Sequence, residues 1–178
     1  MATSTVIPLF PLGSQLVPGL MMPLYLFEQR YRQLARDLDA APADQRYFGV
    51  VGIRAGREVG EGGASSLFEV GTLADVTDLS ANPDGTFNVQ AVGGRRFQLL
   101  DLDDSRAYLR ARVEFLAEPD GDGAEDAARP VRHAFEAYRD AVGLQVDPTD
   151  LNPRLLSYIV TAAMVITPEE KQELLAAP

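Results

Sequence analysis

The chain has 178 residues, 46% hydrophobic and 24% charged, with 16 Lys and Arg against 26 Asp and Glu. That is enough for one large domain or two small ones sharing a core. The net charge of −10, divided evenly between residues 1–120 and 121–178, repels phosphate backbones and disfavours nucleic acid as a partner. With no cysteine there is no disulfide, thiolate metal site or thiol nucleophile, which fits a reducing compartment. Met1–Thr5 carry no basic leader, and the most apolar run, Leu155–Ile166, is far shorter than the roughly 20 residues a membrane span needs. The expectation is a cytoplasmic protein without a membrane segment.

In chain order, an apolar run over 5–10 predicts a first strand. Pro18, Leu20, Met21 and Met22 follow without strand alternation and read as an apolar loop bracketed by Pro18 and Pro23. Phe27, Tyr31, Leu34 and Leu38 recur at spacings of four, three and four, which predicts a helix with these residues on its core face. Residues 46–54 predict another strand, and 55–66, rich in Gly and Ser, a surface loop. Strands are then predicted at 66–79, 86–92, 95–102 and 107–116. The clearest alternations are Phe87-Val89-Ala91 and Leu109-Ala111-Val113-Phe115. Gly93-Gly94 reads as the turn between the second and third of these, and a parity change predicts a bulge near Leu99. The result is an antiparallel meander closing wholly or partly into a barrel.

After Ala117 the pattern turns helical. Glu118–Gly123 reads as a hinge, and Val131, Phe135, Tyr138 and Val142 follow helical spacing. Asn152-Pro153 places an N-cap before a proline at N1. The run that follows, Leu155–Val165, predicts a central buried helix. Thr167-Pro168-Glu169-Glu170 is a capping box that starts a last helix. The fold class expected is α+β, with residues 1–117 as one subdomain and 118–178 as a helical one. Because an apolar stripe begins at Leu174-Leu175 just before the end, truncation at the C-terminus is an open expectation.

Catalytic chemistry finds little support. Lys171 is the single lysine and follows Pro-Glu-Glu, so it cannot serve a phosphate loop. His133 is the single histidine, reads as a helix residue, and has no G-x-S-x-G partner motif anywhere. One histidine and no cysteine leave too few ligands for zinc. Asp120-Gly-Asp122 opens like a calcium loop, but its twelfth position is Val131. The reading is a non-enzyme without metal or cofactor.

One resemblance is specific as an ordered set. Pro8-Leu9-Phe10-Pro11-Leu12, Val17-Pro18-Gly19 and Pro23 to Leu34 (PLYLFEQRYRQL) are followed by Phe48-Gly49-Val50-Val51, Gly71-Thr72-Leu73-Ala74 and Gly93 to Phe97. Together with Tyr158–Leu175 they resemble the N-terminal substrate-recognition domain of Lon-type proteases across nearly the whole chain. The resemblance implies a PUA-like β-barrel with one inserted helix followed by a helical bundle, a stand-alone member of that family, and recognition of unfolded or partly folded polypeptides. It departs at Leu16-Val17-Pro18-Gly19, where a phenylalanine often precedes Pro-Gly. Alternatives are an adaptor with one folded partner, or a small-molecule or RNA binder using the barrel, the last opposed by charge. The expected contact site is Pro18, Leu20, Met21 and Met22, since paired methionines adapt to varied apolar partners, with Arg30 placed to meet a carboxylate or carbonyl of a bound chain.

Overall fold

The computed structural model describes residues 4–54, 66–118 and 121–177. The predicted loop at 55–66 falls outside these except for Ser66, and so does Asp120 of the calcium-like run.

Six strands form one sheet: β1 (Ser4–Leu12), β2 (Met21–Leu26), β3 (Tyr47–Gly52), β4 (Val70–Ala81), β5 (Phe87–Asp103) and β6 (Arg110–Phe115). Pairing runs β5–β4–β3–β1–β6 and returns from β6 to β5, while β2 lies on the outer side of β5. Around this ring every pair is antiparallel except one. β1 and β3 are parallel, with Leu9 opposite Gly49 and Leu12 opposite Gly52. This corrects the all-antiparallel expectation. The connection from β1 to β3 carries β2 and helix α1 (Gln29–Ala40), long enough for the crossover that a parallel pair requires.

β5 is a second correction. The two strands predicted at 86–92 and 95–102 are one strand of 17 residues, and Gly93-Gly94 is not a turn. Neither glycine has positive φ. A Cβ on Gly93 would sit 2.2 Å from the Val17 carbonyl oxygen, and one on Gly94 2.5 Å from an Asp75 carboxylate oxygen. The glycines are there for close approach. The length lets β5 pair with β2 through its first half and with β6 through its second. The register shift at Leu99/Asp101 is the bulge that the parity change predicted.

The ring encloses two apolar clusters. One gathers Phe10, Phe48, Val50, Val89 and Ala91 with Tyr31, Leu34 and Leu38 of α1. The other centres on Ile7, Leu9, Phe97 and Val113. Burying each such side chain contributes about 1.5–3 kcal/mol. Tyr108 also ties α1 to the ring, its hydroxyl donating to Asp37 at 2.7 Å.

Three helices follow: α2 (Ala124–Val142), α3 (Pro153–Ala163) and α4 (Pro168–Ala176). The Asn152 side chain caps α3 by accepting from Leu155 N–H, with Pro153 in the first turn. Thr167 and Glu170 complete the predicted capping box of α4. The central-helix expectation fails, however. In α3 only Leu156, Tyr158 and Thr161 are buried, and beyond its end Val165 is 89% exposed. Among the described residues no helix is long and apolar enough to cross a membrane.

Candidate functional site

β2 pairs with β5 alone among the described strands, so one of its edges is free. Its side chains alternate: Met22, Leu24 and Leu26 turn to the core, and Met21, Pro23 and Tyr25 to solvent. Phe27, just past the strand, continues the outward row, its ring 6.0 Å from that of Tyr25. Met21, Tyr25 and Phe27 are 63, 55 and 62% exposed, a row of large apolar side chains in water. Phe27 was expected in the core of α1. The helix starts only at Gln29, which leaves Phe27 ahead of the first turn and free of the helical face.

Beside this row lies an open groove of about 560 Å³, within the range of roughly 300–1,000 Å³ that ligand sites occupy. One wall comes from β1 (Phe10, Pro11 and Leu12), the other from Leu24, Tyr25 and Phe27. Tyr31 contributes from α1, packed on Phe10 with ring centroids 4.1 Å apart. Burial raises the Tyr31 phenol above its ordinary value, opposed by the charge of Arg30, so it presents a neutral hydroxyl.

The expected contact residues separate. Arg30 lines the groove, but it is engaged, donating to Glu28 at 2.9 Å and lying 4.6 Å from the Tyr31 ring centroid. Met21 is exposed on β2. Met22 and Leu20 are partly buried against the core, Leu20 also against the cluster beneath the C-terminal helices. Pro18 is half-buried, and its neighbour Gly19, at φ +80°, lies under Leu155 of α3. What read as one apolar loop is therefore two things, a tight turn at 18–20 set against Leu155 of α3 and the start of an edge strand. Tyr25 and Phe27 were missed as exposed residues. The alternation Met21-Pro23-Tyr25 against Met22-Leu24-Leu26 was present, but hydrophobic on both faces and so invisible to a polar/apolar pattern.

A second flank is closed by polar contacts. Arg96, 6% exposed, donates from Nε to Glu118 at 2.9 Å and from Nη1 to the carbonyls of Leu175 and Ala177 at 2.7 and 2.6 Å. The Tyr158 hydroxyl donates to the other Glu118 oxygen at 2.8 Å, and Gln172 to the Val70 carbonyl at 2.9 Å. Burial pushes the Glu118 carboxyl up, but hydrogen bonds from Arg96 and Tyr158 overcome it and hold the group below the usual carboxylate range. Tyr158, by burial and its bond to Glu118, is pushed up to about 12. These contacts fasten α3 and α4 to β4 and β5. His133 is exposed on α2, and among the described residues no group of three or more His, Asp or Glu is placed to hold a metal ion.

Residues 6–178 match the family model for the substrate-binding domain of ATP-dependent protease La (LON). The chain belongs to the Lon substrate-binding domain family. It is 29% identical to the Lon protease of Anaeromyxobacter dehalogenans over 180 residues, covering 96% of this chain and 21% of that protein. To the Escherichia coli K12 Lon protease it is 28% identical over 179 residues, 95% of this chain and 22% of that protein. The chain thus spans about a fifth of the length of the curated relatives it matches. A crystal structure of a Lon N-terminal domain protein from Xanthomonas campestris superposes with a TM-score of 0.68 at 22% identity, over 97% of this chain and 90% of that one. The N-terminal domain of a Mycobacterium avium complex Lon protease does so at 0.64 and 17%, with the same coverage. These two likenesses establish the fold.

Proposed function

We propose that the chain binds unfolded or partly folded polypeptide segments, without catalysing their cleavage, and that the contact surface is the groove and apolar row beside β2. The observation that carries this is the line Met21, Tyr25, Phe27, three large apolar side chains more than half exposed, of which Tyr25 and Phe27 line the wall of an open groove. A contiguous exposed apolar surface of this kind marks an interaction site. The family match to a substrate-binding domain supports the same reading, and the acidic balance of the chain favours protein over nucleic acid. In this reading the ring of strands is the PUA-like barrel, and residues 118–178 form a helical subdomain fastened to it. Pro18, Leu20 and Met22 then support the surface from below, while Met21 and Arg30 border the bound segment.

The test is a double substitution, Tyr25→Ser with Phe27→Ser, measured against a reduced, carboxymethylated protein that cannot refold. Binding followed by fluorescence anisotropy should weaken tenfold or more. The melting temperature should move by no more than about 2 °C, as for surface positions outside the core. Unchanged affinity in a folded double variant would place the site elsewhere.

A further inference from the structure

The two walls of the groove are both free strand edges, and each carries a proline. On β2, Gly93 N–H donates to the Leu20 carbonyl at 2.9 Å. In an antiparallel ladder, hydrogen-bonded pairs alternate, so Met22, Leu24 and Leu26 point their backbone groups at β5. Met21, Pro23 and Tyr25 then point theirs away from it. Pro23 fits that position because it has no N–H to give. On β1, Ile53 N–H donates to the Leu12 carbonyl and Leu9 N–H to the Leu109 carbonyl, both at 2.8 Å. By the same alternation Leu12 and Phe10 serve β3, and Pro11 faces the other side. β6 meets β1 only over Ser4–Pro8, so beyond Leu9 that side of β1 has no strand neighbour among the described residues. Pro11 and Pro23 both lack N–H, so each facing edge is short of a donor, and no pairing joins β1 to β2 among the described residues.

We propose that this slot takes an extended polypeptide strand, hydrogen-bonded along β2 through the N–H and C=O of Met21 and Tyr25 and the C=O of Pro23. The inference rests on the polypeptide-binding reading above and names its mode. Backbone pairing gives affinity with little sequence demand, and alternate side chains of the guest set what is preferred. Charge sets that preference here. Arg30 is already neutralised by Glu28, whereas Met21 and Pro23 lie in register, across Val92 and Gln90 of β5, with Asp75 and Asp78 of β4. Both aspartates are exposed but stand three strand spacings, roughly 14 Å, from a guest on that edge, so they favour a guest lysine or arginine at long range, together with the net charge of −10. The favoured occupant is an extended segment alternating apolar and basic residues, with no Asp or Glu.

The experiment uses the whole chain and an eight-residue peptide alternating Phe or Val with Lys. Two controls accompany it, a twin methylated on every backbone nitrogen and a twin with Glu for Lys. Methylation should weaken binding tenfold or more and the Glu twin should bind several-fold more weakly. Pro23→Val, which restores a donor at the centre of the free edge, should tighten binding threefold or more. This last is a gain that misfolding cannot mimic. Equal binding of the methylated and unmethylated peptides, with Pro23→Val neutral, overturns strand addition. If the unfolded client still loses affinity to the Tyr25/Phe27 double substitution in that case, the broader reading survives. Failure of both peptide and unfolded client to bind removes both. Dimerisation of Pro23→Val that the peptide does not reverse overturns the proposal in favour of a second copy as occupant.

Discussion

The two flanks of the sheet solve the same problem in opposite ways. Under α3 and α4 a buried arginine, a glutamate and a tyrosine satisfy one another and the last carbonyls of α4, so that flank is finished. Along β2 three large apolar side chains and one strand edge are left unmatched. Leaving a buried charge without its partners is costly, so the first flank tolerates no loss. The second tolerates substitution in the fold but not in binding. The turn at 18–20 joins the two, since Gly19 lies under Leu155 and Met21, two residues on, is in water. The contrast separates stability from recognition, and each variant below tests one side of it.

The largest effect is expected at Arg96. Arg96→Ala removes three hydrogen bonds, taking from Glu118 its paired cation and from two carbonyls their donor, as breaking a buried pair does at about 3–5 kcal/mol. At about 2–4 °C per kcal/mol for a chain of this size, the melting temperature should fall by roughly 6–20 °C. Limited proteolysis should then cut first among α3 and α4. A loss below about 1 kcal/mol would show that helix packing, not the clamp, fastens that flank.

Next comes Gly93→Ala. Its Cβ would meet the Val17 carbonyl at 2.2 Å, a backbone atom that cannot rotate away, and overpacking of this kind costs about 1–3 kcal/mol. Since the same glycine seats β2 on β5 through Leu20 and Gly19, amide exchange should rise along β2 more than along β6. Uniform exchange across both halves of β5 would sever the link between Gly93 and the edge strand.

Gly93 also marks where sequence pattern and structure part. Apolar runs made β1 and β3 visible, alternation made the first half of β5 and β6 visible, and capping chemistry at Asn152 and Thr167 placed two helix starts, because all of these are local. A glycine pair is ambiguous in the same local terms. It serves a turn or a close approach, and only the distant Val17 and Asp75 decide. The parallel pairing of β1 with β3 is likewise a consequence of how a crossover packs. For the proposed site, Met21 and Arg30 could be named as candidates from the chain. Tyr25 and Phe27 could not, since a strand apolar on both faces gives no sign of which face meets water. The proline at 23 was noticed for its stiffness, but its meaning depends on which edge its missing N–H would have faced.

The smallest effect is the closed flank's share of the pH dependence. Glu118 titrates below its ordinary value, about 4.5, in the folded chain. Its contribution is therefore fully present above that value and is lost as pH falls through the lower folded pKa. Tyr158 is displaced the other way, from 10.0 to about 12. Its contribution is complete below pH 10 and is lost as pH rises towards about 12. Other carboxylates on the surface also sit low, among them Asp84 and Asp103, so the informative quantity is the difference between variants. Glu118→Gln should flatten part of the melting-temperature decline below about pH 4.5, and Tyr158→Phe part of the decline above pH 10. Neither substitution should alter how client affinity at β2 compares between pH 6 and pH 8, since neither group titrates there or touches the groove. Identical acid and alkaline limbs in wild type and both variants would mean that the clamp is held by geometry and packing, with its charges contributing nothing that protons can remove.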